Sequence, residues 1–361
     1  MLSRPPQGGA WVRLLGGFLA AALAFGGCTV RRVPVGTGPP FLHVAAVARL
    51  SDLQAVSPPA WAPDGRSVAF ASQDAVWLVR VSPGGGRRER RLAPLPHVSQ
   101  VAWASDGRTL AALARGMLST VSLDGAPPRR VSDDDRIRLV GWDPARGRLA
   151  YVASHGARDD LRLASPPGAP VVLVSLPDTL EAQTLDWLPG GQGIWLAVGR
   201  RGRGRADRFL NVRVAGSRAT SAFVGLRDSV RAPTLEPGGR FVAFVGGSDE
   251  EVRTGKGRVT VVRTDGTGRR VLTVPGAYSA LSWSPSGTVL AYAEGGGDDI
   301  HLWIADVATG ERLEVATYRP ENPTPDGSLV VRWAADGLRL AFGTDTGDAA
   351  GPVWIATLVR F

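Results

Sequence analysis

Beyond about residue 45 the chain consists of short apolar runs set between polar corners. Val68-Ala69-Phe70-Ala71, Leu149-Ala150-Tyr151-Val152, Phe241-Val242-Ala243-Phe244-Val245, Val289-Leu290-Ala291-Tyr292 and Leu340-Ala341-Phe342 are such runs. Runs this short, bounded by turn residues and carrying branched and aromatic side chains, read as strands and not as helices. A second run follows the first, as in Val76-Trp77-Leu78-Val79-Arg80-Val81 and Ile300-His301-Leu302-Trp303-Ile304. A shorter one comes after a further turn, as in Arg270-Val271-Leu272-Thr273. No apolar run approaches the roughly 18 residues of a spanning helix, which excludes a multi-span helical membrane protein.

The corners repeat. Trp61-Ala62-Pro63-Asp64-Gly65, Trp103-Ala104-Ser105-Asp106-Gly107, Trp142-Asp143-Pro144-Ala145-Arg146-Gly147, Trp187-Leu188-Pro189-Gly190-Gly191, Leu235-Glu236-Pro237-Gly238-Gly239, Trp283-Ser284-Pro285-Ser286-Gly287 and Trp333-Ala334-Ala335-Asp336-Gly337 share one plan. Proline fixes φ, aspartate folds onto the backbone, and glycine takes the positive φ of a tight turn. Leads at 61, 103, 142, 187, 235, 283 and 333 are 39 to 50 residues apart. With the segment before each lead, every period holds four strands, the signature of a β-propeller blade. The expected fold is therefore all-β: a seven-bladed β-propeller of four-stranded antiparallel blades, or six blades with one degenerate repeat. The last blade lacks a downstream fourth strand. Phe41-Leu42-His43-Val44-Ala45-Ala46-Val47-Ala48 has strand character and is expected to supply it, closing the ring.

The sixth corner, Trp283-Ser284-Pro285-Ser286-Gly287, and the end of the fifth repeat, Thr264-Asp265-Gly266-Thr267-Gly268-Arg269-Arg270-Val271-Leu272-Thr273, resemble the TolB-type propeller repeat. The resemblance covers about residues 45 to 361; Leu235 and the corner at Trp187 depart from it. With the N-terminal signal described next, the whole resembles the propeller part of LpqB-type surface lipoproteins, without the domain that precedes it in that family. These resemblances imply a role in sensor-kinase signalling or in envelope complexes.

Arg4 and Arg13 give a positive start, and no acid precedes Cys28. Leu14 to Phe25 is a small-and-apolar stretch too short to span a bilayer but suited to the core of a signal peptide. Phe25-Gly26-Gly27-Cys28 resembles a bacterial lipobox, with Phe25 where leucine is usual. The resemblance implies a signal peptide over 1–27, lipidation of Cys28 and a flexible tether to residue 40. Two or more acyl chains anchor stably, so the expected address is extracytoplasmic, at the cell membrane. Cys28 is the single cysteine, which excludes internal disulfides. Gly 46 and Pro 27 exclude a helical bundle. The net charge of +9 comes almost wholly from arginine, Lys256 being the one lysine. No nucleic-acid-binding motif accompanies it, so no nucleic-acid partner is expected.

The chemistry-bearing residues are sparse. There is no G-x-S-x-G elbow, and His43, His97, His155 and His301 fall on separate parts of the repeat, so neither catalysis, metal nor cofactor is expected. The segments before the leads, such as Gln100-Val101-Ala102 and Val330-Val331-Arg332, are mostly apolar or small, and six of the 11 tryptophans are repeat leads expected to pack blade on blade. Arg87-Arg88-Glu89-Arg90-Arg91 and Arg200-Arg201-Gly202-Arg203-Gly204-Arg205 read as exposed loops. Any binding surface is expected on the loops joining one blade's last strand to the next blade's first. Those loops hold His97, Asp133, Asp134, Asp135, Asp178, Glu181, Arg227, Asp228, Arg231, Tyr278, Arg319 and Glu321. Mixed charge with a few rings suits a protein or peptide partner of a monomeric, non-catalytic scaffold. The competing expectation is a propeller hydrolase or lyase acting on a sugar, lactone or peptide.

Overall fold

The computed structural model describes residues 29–31, 42–81, 87–166, 168–216, 218–296, 298–319, 329–344 and 351–360. Cys28, the signal segment, residues 32–40 of the expected tether, and Glu321 lie outside them. About two thirds of the described residues are strand, with one short helix, Asp249–Arg253, and a single 3-10 turn at Pro189–Gly191.

Six antiparallel sheets form, and each corner lies between the first two strands of a repeat. The Trp61 sheet is Ala60–Trp61, Ser67–Ser72, Ala75–Val81 and Arg87–Ala93. The Trp103 and Trp142 sheets have the same four-strand order. The Trp187 and Leu235 repeats merge into one seven-stranded sheet through the 18-residue strand Arg218–Leu235. Its first half pairs with Ala206–Ala215 and its second half with Phe241–Gly247, so one strand ends one repeat and begins the next. The corners behave as their residues dictate. At Asp64 the carboxylate accepts from Arg66 N–H at 2.8 Å, and Gly65 sits at φ 66°.

The final sheet confirms the strand expected near 41–48. Leu42–Ala55 pairs antiparallel with Gly351–Arg360, on the outer edge of the order that ends at Leu329–Trp333. It runs to Ala55, longer than the apolar stretch alone suggests. Within the segment expected as the tether, Thr29–Arg31 pairs with Thr317–Arg319 as a fifth strand of the Trp283 sheet. That sheet's outer strand leaves unpaired backbone groups, which three extended residues satisfy.

Consecutive sheets are joined by one recurring bond. Each lead indole donates its Nε1–H to the carbonyl just before the preceding lead. Trp103 reaches Ala60 at 3.0 Å, Trp142 reaches Ala102 at 3.1 Å, and Trp187 reaches Gly141 at 2.9 Å. Trp283 reaches Thr234 at 3.1 Å and Trp333 reaches Ser282 at 3.1 Å. Trp61 then reaches Arg332 at 3.1 Å, from the first repeat back to the last. A first strand has a free edge whose carbonyls need donors, and an indole has a donor that needs an acceptor. Arg339 adds a second link between last and first repeats, donating to the Gly65 carbonyl at 2.6 Å. Val68 and Phe70 share a core cluster with Ala341, Val353 and Ile355.

Leu235 has no indole to give. There the Asp186 carboxylate accepts from the Leu235 backbone N–H instead. Gly141 shows how closely neighbouring first strands approach, since a Cβ there would meet Leu185 Cδ2 at 2.9 Å.

Replacing Trp142 by phenylalanine keeps a ring in place but orphans the Ala102 carbonyl. We expect it to cost about 1–3 kcal/mol in urea unfolding, with unchanged far-ultraviolet circular dichroism.

Candidate interaction rim and axial residues

Each repeat is an antiparallel meander, so its fourth strand ends on the same side as the turn between its second and third. All the loops expected to form a rim therefore share one face with those turns. The structure divides the expected rim residues into two sets. His97, Asp133, Asp135, Asp178 and Arg227 are exposed, and their side chains meet no partner among the described residues. His97 is held at φ 55°, a left-handed conformation that fixes where its ring emerges.

The other described rim residues are committed within the chain. Tyr278 is 1% exposed, and its hydroxyl donates to Glu294 at 3.2 Å. It belongs to the core and leaves the rim, because its ring packs edge-on against Tyr292. Asp228 pairs with Arg269 at 3.0 Å, and Arg319 forms two bonds to Asp299 at 2.7 and 2.9 Å. Arg231 donates to the Gly255 and Tyr278 carbonyls, at 2.9 and 3.2 Å. Glu181 accepts from Gly202 N–H at 3.1 Å and from Gln183 at 2.8 Å.

Asp134, expected on a rim loop, accepts from Tyr151 Oη at 2.8 Å and lies 3.2 Å from His155 Nε2. Burial pushes the Tyr151 phenol up to about 12, helped by the Asp134 charge. Beside it, Asp159 is fully buried between the Trp142 and Trp187 repeats. Burial alone raises a carboxyl. The Ala182 N–H, the Ser154 hydroxyl, and Arg138 and Arg201 outweigh it and hold Asp159 below the ordinary range. This network braces the rim loops from beneath.

The residues just before the leads are Ala60, Ala102, Gly141, Asp186, Thr234, Ser282 and Arg332. Five are small or neutral, and two carry charge. The Trp187 and Trp333 repeats are not neighbours in sequence, yet Arg332 acts electrostatically on Asp186. Arg332 is therefore within electrostatic reach of Asp186. The expectation that the segments before the leads are mostly apolar or small holds, with these two positions as the exceptions. Burial pushes the Asp186 carboxyl up to about 6, against the lowering effects of the Leu235 N–H and Arg332. Reading the position before each lead as a column, A-A-G-D-T-S-R, exposes both residues in the sequence. The signal was there but lay outside the conspicuous corners.

Among the described residues, no group of three or more His, Cys, Asp or Glu side chains is placed to hold a metal ion. His301 Nδ1 lies 2.7 Å from Glu314 Oε1, and His155 is paired as described.

No protein-family description matches the chain, and no curated protein does. Solved structures do. The β-propeller domain of Cps50 (Swd1) from Myceliophteria thermophila superposes with a TM-score of 0.61 at 14% identity, over 88% of this chain and 99% of that one. The fold is a β-propeller. Hydrazine synthase of Kuenenia stuttgartiensis is similar to this propeller at TM-score 0.60 and 14% identity, over 86% of this chain and 97% of that one. A chain of a mitotic checkpoint complex, of unstated organism, matches at TM-score 0.57 and 15% identity, over 97% and 99%. At these identities the likeness concerns the fold.

A carboxyl raised to about 6 binds its proton more tightly in the folded chain than in the unfolded one, where the value is about 3.9. The stability it contributes is complete below pH 4, is lost as pH rises to about 6, and is flat above. Asp186→Asn keeps an acceptor for Leu235 N–H. It should match the parent below pH 4 and exceed it by about 1–3 kcal/mol at pH 8, read from urea midpoints at pH 4, 5, 6 and 8.

Proposed function

We propose that this chain is a closed, seven-bladed, TolB-like propeller, lipid-anchored at Cys28 on the outer side of a cell membrane, which binds a protein or peptide through its rim. The observation that carries the partner reading is the free, exposed set His97, Asp133, Asp135, Asp178 and Arg227, of which Asp178 sits on a loop tied to the Asp159 network through Arg201. Exposed groups of both signs on a rigid frame suit a polar protein interface. Seven four-stranded units follow when Arg218–Leu235 is counted once for each repeat that it serves, and the Trp61-to-Arg332 bond supports closure. The match to a chain from a multiprotein complex is consistent with scaffolding.

The anchor rests on the lipobox resemblance at Phe25-Gly26-Gly27-Cys28 and on the LpqB-like combination of lipobox and propeller. Sensor-kinase signalling or envelope-complex assembly is the role those resemblances favour, with the protein as a monomer that takes no cofactor or nucleic acid. A second reading, a propeller hydrolase or lyase, is favoured by one observation. Asp186 sits at the axis with its carboxyl near 6, a range useful to a general acid.

Charge reversal at Asp133→Arg with Asp135→Arg should abolish crosslinking to the partner captured from intact cells by the parent, while Arg218→Gln, away from the rim, retains it. Equal capture by the reversed variant contradicts the rim. Turnover of a glycoside, lactone or peptide panel that disappears in Asp186→Asn would establish the enzyme instead. Cys28→Ala should stop incorporation of radiolabelled palmitate, and continued labelling contradicts the anchor.

A further inference from the structure

A charged cavity on the rim face belongs to neither reading. It has a volume of about 270 Å³ and is lined by Arg200, Arg203, Arg205, Asp207, Ser229 and Asp249. Three guanidinium groups come from six consecutive residues of the loop between Gly193–Arg200 and Ala206–Ala215. Gly202 at φ 77° and Gly204 at φ 62° let the loop fold with arginines on one side.

This loop is exposed, as expected from its composition, and is anchored at Arg201 and Gly202. Arg201 turns away from the cavity to Asp159 at 3.1 Å and to the Leu180 carbonyl at 2.9 Å. Gly202 N–H donates to Glu181, and Arg201 N–H to the Thr179 carbonyl at 2.9 Å. The backbone that carries the remaining arginines is thus anchored beside the cavity, which lowers the ordering cost at the moment of binding.

The charges there do not balance. Asp207 is taken by its neighbour Arg208, with bonds of 2.6 and 3.1 Å. Asp249 alone serves Arg205 at 3.0 Å and Arg203 at 3.4 Å, and it also accepts from the Ser229 hydroxyl. Arg200 has no acid partner among the described residues. Nearby Glu250 and Glu251 are engaged by Arg253 and Arg258. Three cations against one carboxylate leave a surplus of two positive charges around a cavity large enough for a tetrahedral anion and its substituent. Guanidinium forks match the oxygen geometry of such an anion.

We propose that this cavity binds the dianion of a phosphate monoester, with Arg200 and Arg203 as direct ligands and Arg205, locked to Asp249, as the fixed wall. The monoester belongs either to a soluble phosphorylated molecule or to a lipid headgroup, and both present the same three-oxygen face. The site depends on neither the anchor nor the rim partner.

The test uses the full chain purified in detergent and modified with the arginine reagent phenylglyoxal, with sites read by mass spectrometry. Inorganic phosphate should protect Arg200 and Arg203 saturably, whereas chloride at equal ionic strength should not, and Arg218 should react throughout. Arg200→Gln with Arg203→Gln should weaken phosphate binding in calorimetry at least tenfold; both positions are exposed at the cavity mouth, and Arg218→Gln controls for general charge. Glycerol 3-phosphate and bicelles containing phosphatidic acid then compete separately. Competition by either supports the site and identifies the source. Protection by chloride as strong as by phosphate, unchanged affinity in the double variant, or phosphate binding with which neither monoester competes (an adventitious ion only) overturns the proposal.

Discussion

The bond between a lead indole N–H and the carbonyl of the neighbouring first strand is the constraint on which this molecule depends. A propeller must place the free edges of its first strands around an axis, where carbonyls need donors and little room exists for side chains. A tryptophan at the end of each first strand meets both needs, since its ring fills the gap between sheets and its one donor satisfies the edge. The residue before the lead is small at most junctions, as Ala60, Ala102, Gly141 and Ser282 are. The repeat's composition follows from this single contact more than from any strand propensity.

Where the contact is missing, the chain makes its chemically unusual choices. The Leu235 repeat lacks an indole, and the same junction carries Asp186, the long shared strand Arg218–Leu235 and, on its rim side, the arginine-lined cavity. Asp186 supplies an acceptor where other junctions use a donor, and its burial leaves a carboxyl with a raised proton affinity. The charge of Arg332 partly offsets that rise. Departures from a repeat, more than the repeat itself, mark where this protein is individual.

Much of the architecture was legible because the corners Trp-x-Pro-Asp-Gly combine a spacing with a turn chemistry that few other folds require. The outer partner of Gly351–Arg360 was legible because Leu42–Ala48 is an apolar segment with no other strand to join. The docking of Thr29–Arg31 was not, since three residues carry no periodicity and their place is set by an edge far away in sequence. The rim was half legible. Topology gives the loop on which a residue sits but not the direction of its side chain, so Asp134 and Tyr278 looked like surface groups while tertiary contacts drew them inward. Asp186 and Arg332 were hidden for another reason: single charges in otherwise small columns carry no local pattern.

Hydrogen exchange across the whole chain tests this account most directly. If indole-to-carbonyl bonds and the Leu42–Ala55 strand make one cooperative ring, amides of 42–55, of 351–360 and of the first strands should exchange together, only through global unfolding, and respond equally to denaturant. Exchange of 42–55 within seconds, while the first strands stay protected, would contradict it.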